Sequence, residues 1–193
     1  MASDFTLDTI VWLAEAGQKE QVVSMVQTLS DFFRASLNSG KDIVSLEGEC
    51  RHITSYLQIQ QVRYQDILTY DVDIPEEIAN CKIPKITLQP LVENALYHGI
   101  KNKRGKGRIV VTGRREKDKC VIRVEDNGIG MTKERLNQVR GGLTTKIEDS
   151  NDFYGLYNVN ERIRLKFGEE YGLSIDSVLQ EGTCVEVWLP WES

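Results

Sequence analysis

The sequence predicts an α+β fold: a two-helix hairpin, half of a dimeric four-helix bundle, followed by an α/β sandwich of strands and helices. Three observations predict it. Apolar residues recur at three- and four-residue intervals through the first third of the chain, the period of an amphipathic helix. Past Gln65-Asp66 the period drops to two, as in half-buried strands. Strand-like and helix-like segments then follow one another in groups, which favours helices layered on one face of a sheet. The chain accordingly divides into a helical unit, residues 1–65, and a sandwich unit, residues 66–193.

With 193 residues, 40% of them hydrophobic and 27% charged, the chain can bury a core. That balance excludes disorder, collagen and a disulfide scaffold. Lys and Arg number 24 against 29 Asp and Glu, a net charge of −5. The basic footprint of a nucleic-acid binder is missing. No apolar run approaches the roughly 18 residues of a membrane span, and Asp4, Asp8 and Glu15 do not suit a secretory signal. Cys50, Cys81, Cys120 and Cys184 form no CxxC pair. Reduced thiols in a cytoplasmic setting are expected, and no zinc site.

The elements follow in order. From Leu7 to Leu37, residues such as Ile10, Leu13, Val22, Val26, Leu29 and Phe33 predict one long helix that Gly17 can interrupt. Asn38-Ser39-Gly40-Lys41-Asp42 is a turn. Ser45 offers an N-cap to a second helix, with Glu49 one place beyond the capping-box position. The pair cannot cover both of its apolar faces alone, so a second copy is expected. Strands are predicted at 67–74, 108–115 and 120–125, a helix over 86–100, and the turn 116–119. A Gly-rich polar stretch from Met131 to Tyr154 holds one short helix, 133–139. A helix at 157–167 precedes a closing hairpin, 173–179 and 183–189, turning at 180–182.

Three segments carry candidate chemistry. Asn94, in Glu93-Asn94-Ala95-Leu96-Tyr97-His98-Gly99, places an amide in an apolar helix, where it must be satisfied. Alone it reads equally as a structural hydrogen bonder. Asp126-Asn127-Gly128-Ile129-Gly130 follows a strand and by itself is a good turn. Gly155 leads into a helix whose first N–H groups can face a phosphate, a weak signal on its own.

In this order and spacing the three segments resemble the Bergerat ATP-binding fold of histidine kinases, type II topoisomerases, Hsp90 and MutL (the GHKL group). More narrowly, Leu88-Gln89-Pro90-Leu91-Val92-Glu93-Asn94-Ala95 and Gly155-Leu156-Tyr157-Asn158-Val159-Asn160-Glu161-Arg162-Ile163 resemble LytS/YesM-type sensor histidine kinases, as does the Glu181-Gly182-Thr183 hairpin. The resemblance implies a two-component enzyme core that binds Mg-ATP and passes the γ-phosphoryl to a histidine, then to an Asp on a response-regulator receiver domain. It implies a homodimer through the hairpin, and a cytoplasmic piece of a membrane protein whose membrane segments lie upstream.

Carried over by residue, Asn94 is expected to hold magnesium through its amide oxygen, and Asp126 to accept from the exocyclic amine of adenine. Gly128 and Gly130 are expected to let the backbone pass the purine, with Ile129 and Ile100 as apolar walls. Residues 131–154 become a lid, Gly155 and Leu156 the phosphate-side helix start, and Thr183 a contact on the pocket floor. His98 falls on the pocket side. Tyr97 stands where many histidine kinases carry a phosphate-binding Lys; Lys101, Lys103 or Arg104 can supply the charge instead, although the run from Lys101 to Lys117 reads more readily as a solvated surface. Phe153 replaces a family glycine. Leu7-Asp8-Thr9-Ile10 is present, but the acceptor His that precedes it in the family would fall at or before Met1. A shortened chain without its own acceptor is expected. His52 reads as a packing or inter-helix hydrogen-bonding residue. Two other functions compete: a GHKL ATPase or anti-sigma-type serine kinase, and a degenerate nucleotide-sensing dimeric scaffold. Against the ATPase, the base Glu four places before Asn94 is Pro90 here.

Overall fold

A computed structural model describes residues 2–37, 42–144 and 154–191. The predicted long first helix is two helices, α1 (Ala2–Glu15) and α2 (Lys19–Leu37). Gly17 has φ +71. Its N–H donates to Ala14 O at 3.0 Å, and the Gln18 N–H to Leu13 O at 2.9 Å. This paired closure around a left-handed glycine ends a helix and turns the chain. The apolar period runs through the break, so periodicity alone could not place it. Leu13 and Met25 are buried, whereas Leu7, Val11, Trp12, Val23, Val26 and Phe33 stay exposed.

Strand β1 (Ile43–Ser45) leads into α3 (Leu46–Arg63), and Ser45 caps it, its hydroxyl accepting from Gly48 N at 3.2 Å. After α3 come β2 (Leu68–Asp73), a 3-10 turn (Glu76–Ile78) and the short β3 (Lys82–Pro84). β1 and β3 pair antiparallel, a two-stranded sheet without a sequence signal because each strand has only three residues. Two N–H groups of the first turn of α3 continue this tie: Leu46 N donates to Cys81 O at 2.8 Å and Glu47 N to Ala79 O at 2.9 Å.

The helix expected over 86–100 starts later and changes pitch. α4 spans Leu88–Asn94 and continues as π-helix over Ala95–Ile100. Ile86 lies outside it in the left-handed region, φ +57, which costs an L-residue on the order of 1–2 kcal/mol. Pro90 falls in the first turn, where a missing N–H is harmless.

The sheet is completed by β4 (Gly107–Glu116) and β5 (Lys119–Asp126), then β6 (Gly172–Val178) and β7 (Gly182–Pro190). Between the pairs lie α5 (Lys133–Gly142) and α6 (Tyr154–Phe167). Strand order is β2-β4-β5-β7-β6, antiparallel except for the parallel β2–β4 edge. Inward residues such as Ile109, Val111, Ile122, Val124, Val187 and Leu189 are buried in one core with residues of α3, α4 and α6. The opposite face carries exposed ion pairs, Arg108–Asp71 at 3.1 Å and Arg114–Glu186 at 2.9 Å. Such pairs add little stability each but keep that face wet. Helices on one side and charge on the other make the α+β sandwich predicted. No helix among the described residues is long and apolar enough to cross a membrane.

Candidate functional site

Where the Asn94 helix, the β5 end and the α6 start converge, the core opens into a cavity of about 370 Å³, the size of a small-molecule site. The π-helical widening shapes one wall. Asn94, Ala95, His98, Gly99 and Asn102 all border the cavity, and π-bulges recur at functional sites for this reason. Lys101 N donates to Leu96 O at 2.9 Å, a five-residue step. Asn102 Nδ2 donates to Tyr97 O at 3.0 Å and His98 O at 3.3 Å, closing the end of the π-helix. Among the described residues the half-buried Asn94 makes no side-chain hydrogen bond, so its amide is unspent.

Asp126 forms the floor. It is 6% exposed and its Oδ1 accepts from Gly128 N at 2.7 Å. Burial pushes its carboxyl up to about 6, although the Gly128 and Thr183 N–H groups pull it down. Gly99 and Gly128 allow this packing. A Cβ on Gly99 would stand 2.5 Å from Asp126 Oδ1, and one on Gly128 would stand 2.4 Å from the Gly99 backbone. Gly128 thus borders the π-helix and not the cavity. Gly130, at φ +60, would drive a Cβ into the Val178 carbonyl. Its freedom serves the join to the β6–β7 turn. That join is bonded from both sides, with Gln180 N donating to Ile129 O at 2.7 Å and Met131 N to Ser177 Oγ at 2.9 Å. Ser177 Oγ also meets Thr183 Oγ1 at 2.9 Å.

Of the residues singled out from sequence, Asn94, His98, Asp126, Ile129, Gly130, Leu156 and Thr183 border the cavity. Lys101 does not: its ammonium lies 5.7 Å from the Tyr97 ring centre. Lys103 Nζ donates to Asn127 O at 2.5 Å, and Ile100 is fully buried beneath Gly107. Gly155 stands at the second residue of α6, open toward Pro90. The segment 145–153 of the expected lid 131–154, Phe153 included, lies outside the described residues.

Sequence reasoning did not single out Asn102, nor Met131 and Arg135 within the expected lid, all of which border the cavity. Arg135 had a signal. Thr132 caps α5 by accepting from Arg135 N at 3.2 Å, so a capping reading would have placed Arg135 on the first turn above the Asp126 loop.

Tyr97 turns away from the cavity. It is half-buried against the core, and Tyr56 of α3 lies beside it. Burial drives the Tyr56 phenol up, with Glu93 and Tyr97 adding to the effect. Glu93 faces the same way, accepting from Gln89 Nε2 at 2.9 Å. Gln89 Oε1 in turn lies 2.7 Å from His52 Nε2, and the His52 ring stacks on Phe32 at 4.6 Å. His52 is 3% exposed, an inter-helix hydrogen bonder as expected. Asp126 is therefore the one carboxylate bordering the cavity among the described residues. An apolar slot ending on a buried carboxylate can accept from an amino group on a flat heterocycle. Among the described residues, Glu93, the carboxylate next to Asn94, is engaged by Gln89 and does not border the cavity.

Comparison with known proteins identifies the family and the fold. A family model described as "Histidine kinase" matches residues 5–68, and one described as "Histidine kinase-, DNA gyrase B-, and HSP90-like ATPase" matches residues 84–193. The chain is 38% identical over 186 residues to the sensor histidine kinase YesM of Bacillus subtilis (strain 168), covering 96% of this chain and 30% of that protein. It is 34% identical over 172 residues to the sensor histidine kinase BtsS of Escherichia coli (strain K12), covering 89% and 28%. The chain thus spans less than a third of the length of these two relatives. Among solved structures, the catalytic domain of histidine kinase ThkA superposes with a TM-score of 0.57 at 10% identity, covering 77% of this chain and 95% of that one. The histidine kinase domain of a blue-light activated kinase from Erythrobacter litoralis gives 0.56 at 16% identity, covering 90% and 82%. At these identities the superpositions speak for the fold alone.

Proposed function

The chain belongs to the sensor histidine kinases within the histidine kinase-, DNA gyrase B- and HSP90-like ATPase family, and on that premise we propose that its cavity binds Mg-ATP for phosphoryl transfer to a histidine. The observation that carries the reading is Asp126, a buried carboxylate bordering a largely apolar cavity. It accepts from the adenine 6-amino group. Guanine presents a carbonyl there and is repelled.

Magnesium fits the residues present. No cluster of three acidic, Cys or His ligands exists among the described residues, so these residues form no cage of their own for a cation. One unspent amide, Asn94, suits an ion that arrives with its phosphates and keeps its waters. Bound there, magnesium neutralises phosphate charge. The chain's share of the work is positional: Asp126 sets the purine, Asn94 the phosphate end, and Arg135 and His98 border the same space.

The phosphoryl acceptor is a histidine beyond the two in this sequence, because His52 is buried and bonded to Gln89 and His98 borders the cavity itself. From that histidine the group passes to a response-regulator Asp. The exposed apolar residues of α1 and α2 suit a helical homodimer, and the fragment is the cytoplasmic part of a membrane sensor. Pro90, at the place where the GHKL ATPases carry a base Glu, favours transfer over hydrolysis.

Thermal unfolding with nucleotides tests the reading. At a hundred times its Kd, a ligand adds about 2.7 kcal/mol. Mg-ADP and Mg-ATP should each raise Tm by several degrees, and Mg-GTP should not; equal shifts for both purines would remove Asp126 from its role. Asn94→Ala should erase the extra stabilisation that magnesium gives over EDTA with ATP. Its adenosine affinity should stay within about twofold of the parent's, since the cost of a lost polar contact falls on the phosphate end. A magnesium increment that survives Asn94→Ala would assign the ion to other ligands.

A further inference from the structure

Three elements meet at the left-handed Ile86. Its N–H donates to Glu49 Oε1 at 2.7 Å, and Oε2 of the same carboxylate accepts from Thr87 N at 2.9 Å and Leu88 N at 3.1 Å. Glu49 is 2% exposed and belongs to α3. It lies one place beyond the capping-box position of its own helix and closes the start of α4 from across the structure. The other side of Ile86 is held from α6. Arg162 Nη2 donates to Ile86 O at 2.9 Å and reaches Thr87 Oγ1 at 3.5 Å. Thr87 Oγ1 donates to Pro84 O at 2.6 Å, fixing the strand side.

A β-branched residue keeps a positive φ only where its surroundings over-determine it. Here an anion holds its N–H and a cation its carbonyl, each from a different helix. The consequence reaches the cavity. α4 carries Leu91 and Asn94 to its wall, and α6 carries Leu156. Arg162 lies six residues past Leu156, about 9 Å along the helix, and does not border the cavity. If either charge is withdrawn, Ile86 can return to ordinary backbone angles. The start of α4 then swings relative to α6.

We infer that Glu49 and Arg162 are positioning residues: through the Ile86–Leu88 backbone they lock the Asn94 helix against α6, so that nucleotide affinity depends on how the helical pair is seated. The inference rests on the nucleotide reading of the cavity. Linkage makes it reciprocal, since whatever loosens α3 weakens nucleotide, and nucleotide tightens α3.

Two measurements test it. First, Mg-ADP affinity is measured by calorimetry for the parent, Arg162→Met and Arg162→Lys. Arg162→Met keeps the length of the side chain without its donors and should weaken Mg-ADP roughly tenfold, within the usual range of coupling between sites. Arg162→Lys, which restores the charge, should recover most of that loss. An Arg162→Met affinity within twofold of the parent overturns the inference even if Tm falls, since Arg162 would then act on stability alone. Second, amide hydrogen exchange in the unaltered protein needs no variant to fold. Exchange at Ile86, Thr87 and Leu88 should slow severalfold when Mg-ADP is added, and unchanged exchange with nucleotide bound overturns the coupling. A parent that binds no Mg-ADP overturns the nucleotide reading itself, and the clamp's role falls with it.

Discussion

Asp126→Asn should make the empty protein more stable and the nucleotide-binding protein nearly useless. The two effects share one cause. Burial lifts this carboxyl from 3.8 to about 6, so the folded state binds the proton more tightly than the unfolded chain does. The protonated form therefore stabilises the fold fully below about pH 4, and that contribution is lost as pH rises through 6. At pH 7 the charged carboxylate costs the fold on the order of 3 kcal/mol. Asparagine removes the charge and keeps an oxygen for Gly128 N. Its amide N–H then opposes the Thr183 N–H, so the net gain expected is about 1–2 kcal/mol. Against adenine the change is adverse, because an acceptor becomes a donor facing a donor. A site built for a hydrogen bond rejects such a mismatch strongly, and a loss of about 100-fold or more in adenosine affinity is expected.

The pH dependence supplies an independent check. Because adenine needs the anion, adenosine affinity should fall about tenfold between pH 7 and pH 5. Adenosine is the right probe, since it carries no phosphate that titrates in this range. Tm of the empty parent should gain on that of Asp126→Asn as pH falls from 7 toward 5, the sign opposite to that of a salt-bridged carboxylate. A variant that binds adenosine as the parent does, or loses stability at pH 7, would sink this account of Asp126.

What could be read from sequence was local. Asp126 and Asn94 each sit in a short segment whose neighbours in the chain are also neighbours in space, so motif and geometry coincide. The alternating strands 107–116, 119–126 and 182–190 were legible because one face is dry and the other charged. Glu49 was visible only as a misplaced cap, since its partners Ile86–Leu88 lie 37 to 39 residues away. Arg162 and Ile86 are 76 apart, and nothing in either segment marks the left-handed residue. The helix break at Gly17 was ambiguous because the apolar period continues across it. The π-helix left no sequence signal, yet its extra width brings Asn94, His98 and Asn102 to one wall. Tyr97 reads as a lost phosphate contact in sequence, but it packs toward Tyr56 of α3. Its identity answers to the helical pair, and the charge at the cavity comes from elsewhere, with Arg135 at its border.

The same geometry makes Gly128→Ala damaging for want of space alone. Gly128 does not have a positive φ, so the backbone itself tolerates alanine. The obstacle is space. The new methyl would lie 2.4 Å from both C and Cα of Gly99 and 2.6 Å from Asp126 Oδ1. Two of those three atoms are backbone, so no side chain can rotate out of the way. The Asp126 loop must therefore part from the π-helix by about 1 Å to reach ordinary contact. That parting stretches the Ile129 N to Gly99 O bond, already 3.2 Å, and displaces Asp126 from the floor. Overpacking of this kind costs about 3 kcal/mol, and adenosine binding should be lost along with the stability. Gly141→Ala is the matched comparison. Gly141 lies in α5 with nothing within 4 Å of its would-be Cβ, and alanine there should stabilise by about 0.5–1 kcal/mol. Denaturant unfolding of the two variants separates space from propensity: the same residue change should move stability in opposite directions. If Gly128→Ala instead keeps the parent's midpoint and its adenosine affinity, the close contact between the Asp126 loop and the π-helix is not what holds the floor of the cavity in place.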